Sequence, residues 1–392
     1  MKIVEITTFV VGNPNERKGG KDWLFVKLVT DEGIVGYGEC NAVMQRQKTL
    51  VQMIKDFGDM YVLGADPFKI ELLWETLYSG GLHYFRHPGM ISTQAIAGIE
   101  MACWDIIGKA TNQPVYNLLG GKINEKLRSY TYLVSHIDWL QSIYDRDTPE
   151  NYARAARQCL DDGFNAIKLD PSMPENPAPR NLSLEELHYA ENCVAAIRKE
   201  VGDKMDILIG THGQFCTHTA ITYAKLMEPY LPLWFEEPVP PENVDEMARV
   251  AQHTSVPIAT GERLISIYEY QPLLAKQAAQ IIQVHVGVNG ILESKKIAGM
   301  AQAHYAQIAP WMYCGPIAFA AAVHLGACSP NFLIQECIGK CDGFDKEIVK
   351  EYIEWKDGYI IPPNRPGLGV ELNEELLGKY PEKPNYKMIN RK

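Results

Sequence analysis

The feature that most constrains the fold is a series of eight short apolar runs of β type, most of them followed by an amphipathic stretch of helical type. The residues just past the last six runs are 23 to 26 positions apart along the chain. One strand, one helix and two loops fill about that length, and eight such units close a parallel barrel with the helices outside. The runs span residues 129–133, 166–169, 206–209, 233–235, 257–259, 281–284, 307–309 and 332–334.

The segments on either side of this series have a different pattern. Before it, the β-rich runs 23–29 and 34–38 flank a turn and predict a hairpin, and residues 48–80 predict helices. In residues 92–109 the apolar positions recur at steps of three and four, which predicts a further helix. The tail is rich in Pro and Gly, and we expect it to pack back on the N-terminal region. The predicted parts are an α+β domain at 1–122, a barrel at 123–340 and a C-terminal segment at 341–392.

Composition excludes several classes of partner. The chain has 38 basic and 48 acidic side chains and no basic cluster, which argues against nucleic acid. No apolar run approaches the ~20 residues that span a bilayer, so no membrane partner is expected. The first residues lack the apolar core of a secretory signal. The nine cysteines are scattered, with only Cys337 and Cys341 close in sequence, which is typical of reduced thiols in a cytoplasmic protein.

Charged side chains stand at or just past the ends of the later runs. Active sites of such barrels lie at the C-terminal ends of the strands, so these residues are the candidates for chemistry. A single charge at a strand end is usually only solvated. Here charged side chains recur near the strand end in successive strand–helix units, which favours a shared role over chance. The candidates are Lys168, Asp170, His212, Glu236, Glu237, Glu262, Arg263, His285 and Glu336.

Glu236 and Glu262 form the sharpest pair, because they end adjacent strands and can converge on one cation. Ligands that are all oxygen suit a hard ion such as Mg²⁺. Lys168 ends a strand that points into the same mouth, where it could hold a substrate carboxylate or deprotonate a carbon if its pKa were lowered. His212 lies two residues past Gly210, on the same face of an extended segment, and could be a general acid or base or a metal ligand.

These motifs resemble the enolase superfamily, and within it the mandelate racemase subgroup and its galactonate/gluconate dehydratase branch. The resemblance covers nearly the whole chain. It rests on Leu118-Leu-Gly-Gly-Lys, Ala166-Ile-Lys-Leu-Asp-Pro, Trp234-Phe-Glu-Glu-Pro, Thr260-Gly-Glu-Arg and Pro366-Gly-Leu-Gly-Val. The resemblance implies an α/β fold: a modified TIM barrel, (β/α)7β, with an α+β N-terminal capping domain completed by the C-terminal tail. It also implies a homo-oligomer.

The chemistry that the resemblance implies begins with Mg²⁺ on the carboxylate of an acid substrate. The metal acidifies the α-proton, a base removes it, and the metal stabilises the enediolate. In the dehydratase branch an acid then expels the β-hydroxyl as water. Our first hypothesis is therefore Mg²⁺-dependent dehydration of a sugar acid, an aldonate or aldarate, to a 2-keto-3-deoxy acid. The alternatives are a racemase, epimerase or cycloisomerase of a hydroxy acid, and a catalytically altered binding paralogue.

The metal-ligand positions of the family are only partly matched. Three carboxylates on consecutive strands hold the metal in the family; Glu236 and Glu262 match the second and third. The first falls at Gly210, which has no side chain to offer. His212 matches the histidine that, in the branch, donates a proton to the leaving hydroxyl. The resemblance implies that His212 either keeps this role or binds the metal instead.

The His–Asp base of the branch is also missing. The histidine position falls at Trp311, whose indole only donates, and the aspartate position falls at His285 or Val284. The base is therefore predicted to be Lys168, Asp170, His212, His285 or a tyrosine of the capping domain. Glu336 matches the eighth-strand glutamate that hydrogen-bonds the substrate or the enediolate.

Two segments of the first domain are candidates for substrate contact. Residues 12–23 resemble the mobile loop that closes over the ligand, with Gly19-Gly20 suited to a hinge. In residues 83–87, Arg86 could clamp a distal carboxylate or hydroxyl. Trp311 is predicted to contact the substrate from the barrel side.

Overall fold

The computed structural model describes residues 1–41, 46–81, 86–140, 146–172 and 177–385. The N-terminal part begins with an antiparallel sheet in the order β1-β2-β3. Its strands are β1 (Ile3–Gly12), β2 (Asp22–Thr30) and β3 (Val35–Cys40). The helices that follow are α1 (Gln47–Phe57), a π-helical turn (Gly58–Val62), α2 (Ile70–Ser79), α3 (Gly89–Ala110) and α4 (Val115–Leu118).

The sheet packs directly against α3, because β3 carries glycine where the two backbones meet. A Cβ at Gly38 would lie 1.8 Å from the carbonyl oxygen of Gly98 in α3, so any side chain there would push sheet and helix apart. Strand β2 is buried on both faces: Leu24 belongs to the core beneath the capping helices, and Trp23 and Phe25 belong to the core shared with the barrel. The predicted hairpin and helices of this part are therefore present as a sheet covered by helices.

A closed barrel follows, and it contains all eight predicted runs. Each strand from β4 to β10 pairs in parallel with the next, and β11 pairs in parallel with β4. A parallel bridge from Ile308 to Phe332 links β10 to the segment before β11 and closes the ring. The strands are β4 (Leu127–Tyr132), β5 (Ala166–Leu169), β6 (Asp206–Gly210), β7 (Trp234–Glu236), β8 (Ile258–Thr260), β9 (Ile281–Ile282), β10 (Gln307–Ile308) and β11 (Gln335–Glu336).

Seven helices, one after each of the first seven barrel strands, form the outer layer of the described structure. They are α6 (Pro149–Asp161), α7 (Leu184–Val201), α8 (Thr217–Met227), α9 (Val244–Ala251), α10 (Ser266–Ala275), α11 (Val286–Ala303) and α12 (Pro316–Ala327). A single turn, α5 (Leu133–His136), precedes α6, and short 3-10 turns occupy Gly202–Lys204 and Glu228–Tyr230. Local sequence sets where α7 begins: Ser183 and Glu186 form a reciprocal capping box. The arrangement confirms the predicted (β/α)7β fold.

The barrel interior is filled by one fully buried residue from each strand or its flank. Trp234 meets the ring of Tyr130 edge-on, with the centroids 5.3 Å apart. This apolar layer leaves the C-terminal ends of the strands as the place for a site. Its members are Tyr130, Ala166, Leu208, Trp234, Ala259, Ile281, Ala309 and Ile334.

The tail contacts the barrel as well as the capping domain. It forms α13 (Phe344–Glu347), a hairpin of β12 (Glu354–Lys356) and β13 (Tyr359–Ile361), and α14 (Glu374–Leu377). The hairpin adds to the barrel edge, with β13 antiparallel to β4. Glu374 accepts hydrogen bonds from Tyr37 at 2.6 Å and from Lys27 at 2.9 Å. The tail therefore packs on the N-terminal region, as expected, and also on the barrel, which the sequence did not indicate. The domain boundaries at 122 and 340 stay a prediction.

None of the described helices combines the length and the apolar character that a bilayer span requires.

Candidate active site

A second interior layer, which we call the upper layer, lies two residues further along each strand. Because side chains alternate in a strand, these residues face the same interior as the apolar layer, nearer the C-terminal end. Here the chemistry changes from apolar to charged, and Lys168, Glu236 and Glu336 are all at least 97 % buried. The members of the upper layer are Tyr132, Lys168, Gly210, Glu236, Gly261, Gln283, Trp311 and Glu336.

Lys168 and Glu236 form a buried ion pair in this layer. The Lys168 ammonium contacts Oε1 of Glu236, and Oε2 of Glu236 accepts a hydrogen bond from Trp234 Nε1 at 3.0 Å. Burial opposes the charge of Lys168, but the carboxylates around it, Glu236 first, outweigh burial and raise its pKa. The ammonium is therefore protonated at neutral pH and sits among the acidic strand ends.

His212 and Asp170 form the second pair. Nδ1 of His212 lies 2.6 Å from Oδ2 of Asp170, and the histidine side chain keeps 36 % of its surface exposed while the aspartate carboxylate is fully buried. The charge of Asp170 outweighs burial and raises the pKa of His212 to about 9. The imidazole is therefore a cationic proton donor at neutral pH. His212 has a left-handed backbone with φ of 52°.

Three further carboxylates complete the cluster. Glu262 is half-buried beside Glu237 and Glu236, and desolvation of its carboxylate followed by these two charges raises its pKa well above the usual value. Glu237 has its own cation, since Arg263 Nη2 lies 2.7 Å from Oε2. On β11, Oε2 of Glu336 accepts a hydrogen bond from the backbone N–H of Met312 at 2.7 Å, and burial raises its pKa to about 7.

The donor set fits a divalent cation, although no ready-made centre is present. In the part of the chain that the structure describes, no three His, Cys, Asp or Glu side chains are grouped as a metal site. Oε2 of Glu262 and Oδ1 of Asp170 are nevertheless buried and have no hydrogen-bond partner among the described residues. Orphaned carboxylate oxygens beside Glu236 are hard donors of the kind that Mg²⁺ prefers.

His285 and Trp311 lie together in a separate group under the capping domain. The His285 ring meets Trp311 edge-on with the centroids 4.4 Å apart, and Nε2 of His285 contacts the amide of Asn41 at the end of β3. Burial lowers the pKa of His285 to about 3, so its imidazole is neutral. The structure thus places these two predicted residues next to one another, in contact with the capping domain.

The loop between β1 and β2 lies against the C-terminal end of the barrel. Arg17 donates to the carbonyl oxygens of Asp138 at 3.2 Å and Leu140 at 3.1 Å, both beyond β4. From beyond β10, the Tyr313 hydroxyl donates to the carbonyl oxygen of Glu16 at 2.8 Å. These contacts hold the predicted covering loop against the segments that follow β4 and β10. Its role in substrate binding stays a prediction.

Arg86 stands apart from the charged cluster. Its guanidinium donates to Glu75 at 2.8 Å and to the Tyr268 hydroxyl at 3.1 Å, and lies over the Tyr78 ring. Residues 83–85 of the same predicted segment lie outside the described residues. The structure therefore places Arg86 between capping helix α2 and barrel helix α10, and its substrate contact stays a prediction.

Sequence reasoning did not single out Tyr132, which belongs to the upper layer. Its hydroxyl is buried near Asp170, and the Lys168 ammonium lies 5.5 Å from its ring centroid. The signal was available, because Tyr132 is the next-to-last residue of the run 129–133, just as Lys168 is of the run 166–169. A tyrosine is less conspicuous at a strand end than a charge.

A closed (β/α)7β barrel beneath an α+β domain, with buried acidic and cationic side chains at its strand ends, defines a class of α/β-barrel proteins whose active sites lie at the C-terminal ends of the strands. Comparison with known proteins narrows the class. Residues 16–120 match the mandelate racemase / muconate lactonizing enzyme N-terminal domain, and residues 151–376 match the enolase C-terminal domain-like family. The chain belongs to the mandelate racemase subgroup of the enolase superfamily and is an enzyme of that superfamily.

Named relatives and solved structures agree with this assignment. The chain is 35% identical to a D-galactonate dehydratase of Pectobacterium atrosepticum over 384 residues, which cover 96% of this chain and 94% of the relative. A D-galactonate dehydratase of Ralstonia nicotianae is 34% identical over 385 residues, with the same coverage. The crystal structure of a mandelate racemase/muconate lactonizing enzyme from Sulfitobacter sp. superposes with a TM-score of 0.93 at 41% identity, covering 98% of this chain and 97% of that one.

Proposed function

We propose that the chain dehydrates a sugar acid, an aldonate or aldarate, to a 2-keto-3-deoxy acid in a Mg²⁺-dependent reaction. The observation that carries the proposal is the His212–Asp170 pair, which holds the imidazole partly exposed beside the acidic cluster. A protonated group at that place can give its proton to a leaving hydroxyl. The similarity to D-galactonate dehydratases makes D-galactonate the first substrate to test.

In the proposed reaction the C–H bond at the α-carbon and the C–O bond at the β-carbon break, and water leaves. Glu236 and Glu262 would hold Mg²⁺, which when bound supplies positive charge to the substrate carboxylate and the enediolate. Lys168 adds a fixed positive charge beside them. His212 protonates the departing hydroxyl, and Glu336 hydrogen-bonds the substrate. The resulting enol then takes a proton on carbon to give the 2-keto acid.

The acceptor of the α-proton stays a prediction, with the five candidates named from the sequence. Lys168 is protonated in its ion pair with Glu236, so it can accept a proton only after that pair opens. His285 is neutral and buried next to Trp311. Homo-oligomerisation and a cytoplasmic location also stay predictions.

The test is a sugar-acid screen with D-galactonate first, with Mg²⁺ and with excess chelator, in which 2-keto-3-deoxy products are detected by semicarbazide absorbance and identified by NMR. We expect product with Mg²⁺ and none with chelator. Product that resists the chelator would contradict the metal dependence. A screen without any dehydration product would overturn the proposed reaction.

Trp311 keeps the second candidate open, a racemase, epimerase or cycloisomerase of a hydroxy acid. It occupies the position of the histidine in the dehydratase dyad and cannot accept a proton. The same screen in D₂O separates the two reactions, because a racemase exchanges the α-proton without losing water. Tight sugar-acid binding with neither exchange nor dehydration would indicate a binding paralogue.

A further inference from the structure

Gly210 leaves a gap in the upper layer between two charged strands. It ends β6 and is paired directly with Glu236 of β7. Paired residues on neighbouring strands send their side chains to the same face, about 5 Å apart. A side chain at position 210 would therefore project into the barrel beside the Glu236 carboxylate.

The carboxylate of Asp170 fills that gap. A Cβ built on Gly210 would lie 2.1 Å from Oδ1 of Asp170 and 3.1 Å from Cε of Lys168. The strand register explains the approach: Leu169 of β5 pairs with Ile209 of β6, so Asp170 comes next, beside Gly210. Asp170 thus extends from one strand into the space that belongs to its neighbour, and the space is open only because position 210 is glycine.

The oxygen that enters the gap accepts no hydrogen bond of ordinary geometry from a described residue, although the Tyr132 hydroxyl lies close to the same carboxylate. Asp170 is 4 % exposed, and its Oδ1 accepts no hydrogen bond from any described residue. Its other oxygen, Oδ2, faces His212. Leaving a buried carboxylate oxygen unpaired costs free energy, so an oxygen held in this way points to a ligand. Oε2 of Glu262 is also buried and accepts no hydrogen bond from a described residue.

We propose that Asp170 supplies the third oxygen ligand of the divalent cation, together with Glu236 and Glu262, in place of the side chain that position 210 lacks. The proposal rests on the metal dependence of the proposed function. It accounts for the glycine, because two carboxylates cannot occupy one volume. It also gives each oxygen of Asp170 a role: Oδ1 faces the cation and Oδ2 orients His212.

The experiment measures metal affinity directly, without substrate or turnover. Purified wild type and variants are titrated with Mn²⁺, the free ion is followed by electron paramagnetic resonance, and Mg²⁺ affinity is read by competition. We expect D170N to weaken Mn²⁺ binding at least about tenfold, as removal of a charged ligand should. H212N removes the positive charge beside Asp170 and should bind Mn²⁺ at least as tightly as wild type, so weaker binding in D170N alone separates ligation by Asp170 from its effect on the histidine.

A reciprocal swap tests the shared volume. G210D alone adds a second carboxylate where Asp170 already lies, and should not bind more tightly than wild type. In the double variant D170G/G210D the carboxylate comes from β6 instead, and we expect the affinity to return to within about fivefold of wild type. Circular dichroism and thermal melting confirm that each variant is folded before it is titrated.

Two results would overturn the proposal: Mn²⁺ binding by folded D170N as tight as that of wild type, and a wild-type protein that binds no Mn²⁺. The sugar-acid screen on the same samples keeps the two proposals apart. Dehydration together with unchanged Mn²⁺ binding in D170N would refute the role of Asp170 and leave the reaction standing. Mn²⁺ binding that depends on Asp170, without any dehydration, would refute the reaction and leave the metal site standing.

Discussion

At the scale of single residues, His212 is held for proton transfer by backbone and charge together. Its φ of 52° is left-handed, and this turn at the end of β6 brings Nδ1 to Oδ2 of Asp170. Asparagine tolerates the same backbone conformation and keeps a polar side chain, but it cannot carry a proton to a leaving group. Position 212 can therefore be tested for acid chemistry without breaking the turn.

The first prediction is that H212N lowers the rate of dehydration by about 10² to 10⁴, the usual contribution of a general acid. Exchange of the α-proton in D₂O should persist, because the proposed role of His212 comes after that step. NMR in D₂O measures both rates. H218N is the matched control, since His218 is an exposed histidine six residues away on α8. Loss of exchange together with dehydration would make His212 the base instead.

The sequence predicted which charged residues gather at the strand ends, but not how they pair. The apolar runs and the phase of their last residues place Lys168, Glu236 and Glu336 in one layer, because strand alternation follows from chain geometry alone. Asp170 fills the space over Gly210 because of the register between β5 and β6, and no local sequence pattern encodes that register. Two residues of one strand, Lys168 and Asp170, therefore had no predicted partners.

At the scale of elements, two buried glutamates of the capping domain hold the N-termini of barrel helices. Glu39 of β3 accepts hydrogen bonds from the backbone N–H groups of Gly315, Ile317 and Ala318 at the start of α12. Glu100 of α3 accepts from Ile291 at 2.8 Å and Leu292 at 2.6 Å, just after the kink in α11. A carboxylate at a helix N-terminus satisfies donors that the helix itself leaves open.

These contacts were invisible in the sequence, because each joins residues far apart in the chain. Glu100 looked like one polar position on an apolar helix face, and its partners lie 191 and 192 residues away. The helices themselves were predictable from periodicity. Their docking geometry was not, because it depends on which carboxylate meets which helix end.

The second prediction concerns pH and Glu100. Burial raises the pKa of Glu100 from the usual 4.5 to about 7, although the N–H groups of Ile291 and Leu292 and the indole of Trp104 lower it, and Glu293 adds to the increase. A raised pKa in the folded state means that stability from this group is complete below about pH 4.5 and is lost as the pH rises through 7. From pH 5 to pH 8, the free energy of unfolding of wild type should therefore fall relative to that of E100Q, by an amount on the order of 1 to 3 kcal/mol.

Urea unfolding at several pH values measures this difference. E125Q is the control, because the Glu125 side chain is 79 % exposed and should follow wild type at every pH. Parallel curves for wild type and E100Q across the range would show that Glu100 is not the titrating group.

The third prediction concerns the loop between β1 and β2. Y313F removes the hydroxyl that donates to Glu16, and so weakens the attachment of the loop to the barrel without changing the core. We expect KM for the sugar acid to rise several-fold with a smaller change in kcat, because a looser cover retains substrate less well. Y305F is the control, since Tyr305 is 97 % exposed. Unchanged KM with a lower melting temperature would assign the contact to stability alone.

At the scale of the whole molecule, one buried carboxylate joins three parts of the chain that are distant in sequence. Asp105 on α3 accepts hydrogen bonds from the backbone N–H of Tyr37 on β3 at 3.0 Å and of Leu368 in the tail at 2.9 Å. Lys109 pairs with it at 2.7 Å. Glycine at position 367 permits the approach, because a Cβ there would lie 2.1 Å from Oδ1 of Asp105. The tail, the capping sheet and α3 therefore meet at the carboxylate of Asp105.

The last prediction follows from that position. D105N replaces one acceptor oxygen with an NH₂ group, so one backbone N–H loses its acceptor in a fully buried place and Lys109 loses its counter-charge. At pH 8 we expect a loss of about 2 to 4 kcal/mol in the free energy of unfolding, and faster proteolysis of the tail. E351Q serves as the control: its partner Arg365 is also in the tail, but the Glu351 side chain is 65 % exposed, and such pairs contribute under about 1 kcal/mol. Equal losses in the two variants would mean that burial of Asp105 does not set its contribution, and that the tail is held mainly by the pairing of β13 with β4.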